Sequence, residues 1–129
     1  MKVFVDTNVF VASLTDEPGR GYAATEFLSQ DHEFCTTVFN VMELRTVLTK
    51  KKQIEQSEAE EILEDITETV DIYFPEVEDL ADAYELQIDT LLYPLDCLIF
   101  VTALIADGTL VTFDAELVEN GAQSPDDFL

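Results

Sequence analysis

Lys2-Val3-Phe4-Val5-Asp6-Thr7-Asn8 begins as an apolar run and stops at a carboxylate. Three apolar residues between charged ends read as a strand buried on both faces, the kind that sits inside a parallel sheet covered by helices. Three further short runs repeat the pattern: Glu33 to Thr36, Val70 to Phe74 and Leu110 to Phe113. Helical stretches separate them. Val9 to Leu14 is a short apolar helix, and Tyr22 to Gln30 a second with Ala23 and Phe27 inward. Val38 to Lys50 shows a broad apolar face of Val38, Val41, Met42, Val47 and Leu48. Ser57-Glu58-Ala59-Glu60 reads as a capping box opening a helix to about Thr67. Glu76 to Ile88 is helical with Val77, Leu80, Ala81, Tyr84 and Leu86 or Ile88 inward. Pro94 suits the first turn of a long helix from Leu95 to Ala106, stopped by Gly108, and Asp114 to Val118 is a short last helix. Ala122 to Ser124 is a weak fifth strand. Strands alternating with helices predict an α/β fold: a central parallel sheet of four to five strands with helices on both faces.

At 129 residues and 47% apolar, the chain is expected to fold as one domain over residues 1–129. It contains no internal repeat, linker or low-complexity segment. No apolar run approaches the roughly 18 residues of a membrane span, and the start lacks the features of a secretory signal. These features read as a cytoplasmic protein without a membrane partner. Cys35 and Cys97 stand apart, with no CxxC and no paired histidine, and read as small buried hydrophobes. His32, alone between Asp31 and Glu33, carries no catalytic signature.

The charge balance is extreme: 28 acidic residues against 6 basic, a formal net charge of −22. Taken alone, this opposes a nucleic-acid partner, because phosphates are repelled. The acids are spread along helix faces and loops, however, while the core segments keep ordinary Val, Ile, Leu and Phe. That distribution suits a surface adapted to molar salt, where the Debye length falls to about 3 Å. The expected source is a salt-accumulating microbe.

Four acids stand where packing explains a carboxylate poorly. Asp6 closes the first strand, and Glu43 sits inside a largely uncharged helical stretch. Asp96 opens the long apolar helix, and Asp114 follows the last strand. In open parallel sheets, sites form outside the carboxyl ends of the strands, where Asp6 and Asp114 lie by sequence. No Lys, Arg or His stands within three residues of Asp6, Asp96 or Asp114, and Arg45 should turn away from Glu43 around its helix. If the four converge, they need cations or must take up protons. All-oxygen ligation suits Mg²⁺ or Mn²⁺, and Thr7, Asn8 and Thr112 are placed to orient the carboxylates or an attacking water. A plainer reading stands beside this one: most of the 28 acids form a solvated shell, and Asp96 and Asp114 can serve as helix caps.

Val5-Asp6-Thr7-Asn8-Val9-Phe10, then Glu43-Leu44 within Val38 to Leu48, then Leu95-Asp96-Cys97-Leu98-Ile99 with Ala103, then Leu110-Val111-Thr112-Phe113-Asp114 follow one another in order. This series closely resembles the PIN-domain ribonucleases, as does the ending Ser124-Pro125-Asp126-Asp127-Phe128-Leu129. The resemblance covers essentially the whole chain. It implies a three-layer PIN-like fold and Mg²⁺- or Mn²⁺-dependent cleavage of an RNA substrate. Asp6, Glu43, Asp96 and Asp114 are carried over as the catalytic, metal-binding acids and Thr112 as a supporting residue. Among small members the chain looks most like VapC-type toxins, which implies a homodimer and a cognate antitoxin. It departs from the family in two ways. Phe113 stands where many members carry a basic or polar residue, and the basic surface is reduced to Arg45 with Lys50-Lys51-Lys52. That stretch either contacts RNA phosphates or an acidic antitoxin segment, or complements a helix macrodipole.

Two other readings compete. A non-enzymatic PIN-like binding module would not need all four acids. A phosphoacceptor domain needs a lysine beside its acids, and the sequence places none there.

Overall fold

Val3 and Val5 pack into one apolar cluster and Phe4 into another, so strand β1 (Lys2–Val5) is buried on both sides of the sheet. The computed structural model describes all of residues 1–129. After β1 come α1 (Thr7–Leu14), α2 (Gly21–Leu28), β2 (Glu33–Thr37) and α3 (Val38–Thr46). Helix α3 runs on through a π turn, Val47–Lys51. Then follow α4 (Gln56–Thr69), β3 (Asp71–Tyr73), α5 (Asp79–Thr90), α6 (Pro94–Ile105), β4 (Thr109–Val111) and α7 (Ala115–Glu119). A 3-10 turn, Pro125–Phe128, closes the chain under a capping box formed by Ser124 and Asp127.

The four strands are parallel in the order β3-β2-β1-β4, with Phe4 opposite Cys35 on one side and Leu110 on the other. Helices cover both faces. Val3, Val5 and Val111 meet α1, α2, α3 and α4, whereas Phe4, Cys35 and Leu110 meet α5, α6 and α7. This is the α/β three-layer arrangement the sequence predicts. The chain order reverses direction across the sheet at β1, so β1 and β4 end side by side at the switch point. No single helix is long and apolar enough to cross a membrane.

Several details differ from expectation, each for a physical reason. The expected fifth strand is one parallel bridge, Val111 to Gln123, because only Leu110 and Thr112 exchange backbone hydrogen bonds with Gln123. The Ser57 capping box does not form. Helix α4 starts two residues earlier than that box requires, at Gln56, and Arg45 engages both Gln56 and Glu60, the acid that should have reached back to Ser57. In α3, Leu44 and Asn40 are the buried residues, while Met42 is 64% exposed.

The largest departure is α5. Its buried residues are Asp79 and Ala83, and Leu86 packs against the core as expected, but Val77, Leu80, Ala81, Tyr84 and Ile88 face outward. The small Ala83 lets α5 lie close against α6, and the Asp79 carboxylate accepts the Glu76 N–H at 2.8 Å. Leu91, in the left-handed region at φ 59°, turns the chain from α5 to α6 and is itself exposed.

Candidate active site

Asp6 leaves the carboxyl end of β1 and caps α1, its Oδ1 accepting the Thr7 N–H at 2.8 Å. The same oxygen accepts from Asn40 Nδ2 at 2.9 Å, and Oδ2 accepts the Thr112 hydroxyl at 2.7 Å. Three elements therefore fix one carboxylate: α1, α3 and the end of β4. Thr112 is itself tied down. Its Oγ accepts from Asn8 Nδ2 at 3.1 Å and from the Asp114 N–H at 3.0 Å. Asn8 Oδ1 accepts the Phe113 N–H at 3.1 Å, so the loop after β4 is clamped to the start of α1.

Asn40 is a site residue beyond those expected from the sequence. It is fully buried, and its Oδ1 accepts the Thr37 hydroxyl at 2.7 Å, which leaves its amide free to donate to Asp6 and to Thr7 Oγ. Asn40 stands three residues before Glu43, on the same face of α3. That spacing is the signal that could have found it.

Asp6, Glu43, Asp96 and Asp114 all line one open cavity of about 340 Å³, with Thr7, Asn8, Glu17, Arg20 and Lys52. Glu43 reaches it from α3 and Asp96 from the first turn of α6. Asp114 caps α7, its Oδ1 accepting from the Glu116 and Leu117 N–H groups. Thus Asp114 is a helix cap and a cavity residue at once, and the two readings of its position are compatible. Asp96 has no such cap bond.

The electrostatics of the cavity follow from this crowding. Burial pushes the Asp96 carboxyl up to about 6, and Asp6, Asp114, Glu43 and Glu116 add to the rise. Burial also raises Asp6; the Thr112 and Thr7 hydrogen bonds oppose it, and Glu43 and Asp114 reinforce it. No three of these acids close into a ready-made ligand shell. Mutual repulsion keeps such a set apart unless cations are present. The donors are oxygen only, which fits a hard divalent ion that keeps several of its waters and takes few direct carboxylates.

Of the basic stretch singled out in the sequence, Lys52 alone reaches the cavity, and Arg20, which the sequence did not mark, joins it. Arg20 and Lys52 line the cavity, although neither is near the acids in sequence. Val47 and Lys52 lie at either end of the π turn, and the Lys52 N–H donates to the Val47 carbonyl at 3.0 Å. Arg45 is turned to α4, and Lys50 and Lys51 occupy the last turn of the π segment outside the cavity.

A family model described as the PIN domain matches residues 3–122. Among solved structures, the chain is similar to the Sarcin-Ricin loop cleaving toxin VapC20 of Mycobacterium tuberculosis: TM-score 0.77 at 16% identity, over 93% of this chain and 95% of that one. It is similar to a chain of VapBC2 from Rickettsia felis, bound to a DNA fragment from its promoter: TM-score 0.73 at 18% identity, over 96% and 97% of the two chains. A toxin–antitoxin complex from Klebsiella pneumoniae contains a third such chain: TM-score 0.68 at 22% identity, over 87% and 86%. No curated protein sequence matches.

Proposed function

Because the chain belongs to the PIN-domain family, we propose that residues 1–129 form a single nuclease domain, a Mg²⁺- or Mn²⁺-dependent endoribonuclease acting as the toxin of a VapBC-type pair. The observation that carries the reading is the cavity where Asp6, Glu43, Asp96 and Asp114 meet at the carboxyl edge of the sheet. These four would hold the ion. When bound, it supplies Lewis acidity toward a water and a phosphate oxygen. The chain's own residues do the positioning. Thr112 and Asn40 orient the two Asp6 oxygens, and Asn8 holds Thr112 and the Phe113 N–H. Asp114 commits Oδ1 to the start of α7 and keeps Oδ2 without a protein partner. Burial and the neighbouring acids push the Asp96 carboxyl up to about 6, and a cation held there would favour its charged form.

Partners follow from the same reading. A cognate antitoxin is supported by the structural neighbours, several of which are toxin–antitoxin complexes. A homodimer is supported by the apolar stripe that α5 leaves exposed, and a salt-rich cytoplasm by the net charge of −22. Lys50, Lys51 and Arg45 act at the periphery: Arg45 braces α4, and the two lysines complement the end of the helix.

The test combines cleavage with calorimetry. Wild type should cleave single-stranded RNA only with Mg²⁺ or Mn²⁺ and should bind Mn²⁺ without RNA. Asp6→Asn should keep the fold and lose both cleavage and most Mn²⁺ affinity. An Asp6→Asn variant with full metal-dependent activity would refute the assignment, and RNA binding with no Mn²⁺ uptake would favour a non-enzymatic module.

A further inference from the structure

We propose that Arg20, stacked on Phe113, and Lys52 are the phosphate-binding pair of the active-site cavity, holding the RNA backbone beside the bond to be cut. The proposal rests on the nuclease reading above. Of the six basic residues in the chain, these two line the cavity. Five carboxylates line it with them, yet neither cation forms an ion pair: the chain's two salt bridges are Lys2–Glu33 and Arg45–Glu60. The Arg20 guanidinium makes no hydrogen bond either, so its donors remain available for an anion.

Arg20 is nevertheless held in place. Its guanidinium lies 5.1 Å from the centre of the Phe113 ring, a cation–π contact, and the Asn8 clamp fixes the Phe113 backbone. Its backbone is tied as well. The Arg20 N–H donates to the Glu17 carbonyl at 3.1 Å and the Gly21 N–H to the same oxygen at 2.7 Å. A Cβ at Gly21 would stand 2.9 Å from the Asp16 carbonyl carbon, so glycine lets the turn close this tightly. A guanidinium positioned before its ligand arrives loses little freedom on binding, and its planar fork matches phosphate oxygens. Phe113 brings no charge of its own, but it carries one to the rim.

The company these cations keep favours RNA over an acidic peptide. A peptide carboxylate gains little by approaching five others. A phosphodiester must approach them if it is to be cut, and Arg20 and Lys52 are the groups that offset its charge there. Single-stranded RNA also has a phosphate at every nucleotide, so two cations at one cavity can grip successive positions.

The experiment is steady-state cleavage of a fluorescein-labelled, mixed-sequence single-stranded RNA with Mn²⁺, across a KCl series. Arg20→Gln should raise KM on the order of tenfold with kcat little changed, the sign of a lost binding contact. On the high-salt limb of the series, where local contacts govern affinity, the slope of log KM against log salt should flatten by about 0.7 for each phosphate contact removed. Lys52→Gln should flatten it further, and Arg20→Lys should restore the slope but only part of the affinity. Phe113→Ala should add nothing in the Arg20→Gln background. Mn²⁺ affinity without RNA should stay at least at the wild-type level, which separates this role from general balancing of the cavity charge. Unchanged KM and slope in Arg20→Gln, with wild type active, would overturn the pair and leave the nuclease reading intact. So would a variant whose only loss is affinity for a co-purifying antitoxin. A wild type that cleaves no RNA would instead refute the nuclease reading and the pair with it.

Discussion

The Thr112 hydroxyl donates to Asp6 Oδ2 at 2.7 Å, joining the residues that follow the two adjacent strands β4 and β1. With Asn40 on the other oxygen, the carboxylate is oriented before any ligand arrives. Strand order makes this possible. β1 and β4 are remote in sequence but neighbours in the sheet, so their carboxyl ends bring Asp6, Asn8, Thr112 and Asp114 within one hydrogen-bond network.

Thr112→Val keeps the shape of the side chain and removes that donor. It also removes the acceptor used by Asn8 and by the Asp114 N–H. Cleavage should fall about 10–100-fold, the range for groups that orient a metal-binding carboxylate. Stability should drop by about 1–3 kcal/mol, because buried polar groups lose their partners. Thr112→Ser should recover most of both. Equal activity of the Val and Ser variants would show that the hydroxyl does not position Asp6.

Without metal, the cavity should make stability depend on pH in a defined direction. Asp96 titrates at about 6 in the folded protein against 3.8 ordinarily, so between these values the folded state holds a proton that the unfolded chain has released. Stability then falls as pH rises, since the folded state binds more protons. The contribution is full below about pH 4 and lost as pH passes 6. Asp96→Asn should flatten this part of the curve and raise the melting temperature at pH 7 in metal-free buffer. Saturating Mn²⁺ should reverse the trend for wild type, because binding then favours the charged form. Denaturation at fixed molar KCl measures both, with repulsion among the surface acids screened. A pH dependence identical in wild type and Asp96→Asn would remove Asp96 from the effect.

The sheet and the four acids were legible because local rules and tertiary structure agree there. Val3-Phe4-Val5 has no face to offer water, and a carboxylate at the end of such a strand reaches the crevice. Other features were not legible. The basic stretch pointed to Lys52 only together with Arg45, Lys50 and Lys51, which stay outside the cavity, and Arg20 gave no signal. Lys52 and Arg20 reach the cavity through a π turn and a tight turn, neither of which leaves a periodic trace. For the same reason the sequence argument against a phosphoacceptor, the lack of a nearby lysine, fails in space, and the family match replaces it. The α5 face differs from expectation because periodicity finds an apolar stripe without saying what the stripe packs against. The inward side of α5 carries Asp79 and Ala83 beside Leu86, and of these the hydropathy pattern picks out Leu86 alone.

The exposed stripe of α5 bears on assembly. Val77, Ile88 and Leu91 are 80%, 77% and 84% exposed, and Leu80 and Tyr84 continue the row at helical spacing. We expect this exposed apolar row to be the association site of the proposed homodimer. Ile88→Glu should halve the mass seen by light scattering and make the melting temperature independent of protein concentration. Wild type that is monomeric at micromolar concentration would argue against the dimer.

The last expectation concerns salt. With 28 acids, 6 basic residues and two ion pairs, the folded surface is dominated by repulsion between carboxylates. Lowering KCl from about 1 M to about 0.1 M lengthens the screening distance from about 3 Å to about 10 Å, so acids on neighbouring helices begin to repel. The melting temperature should fall along that series. RNA affinity should follow a different course. It should rise as salt first drops, because the local contacts of Arg20 and Lys52 strengthen. It should then fall as the net charge of −22 is unmasked and repels the backbone as a whole. A protein without this surface would show only the rise. A melting temperature that is flat between the two salts would count against salt adaptation, and an RNA affinity that climbs throughout would show that local contacts outweigh the net charge.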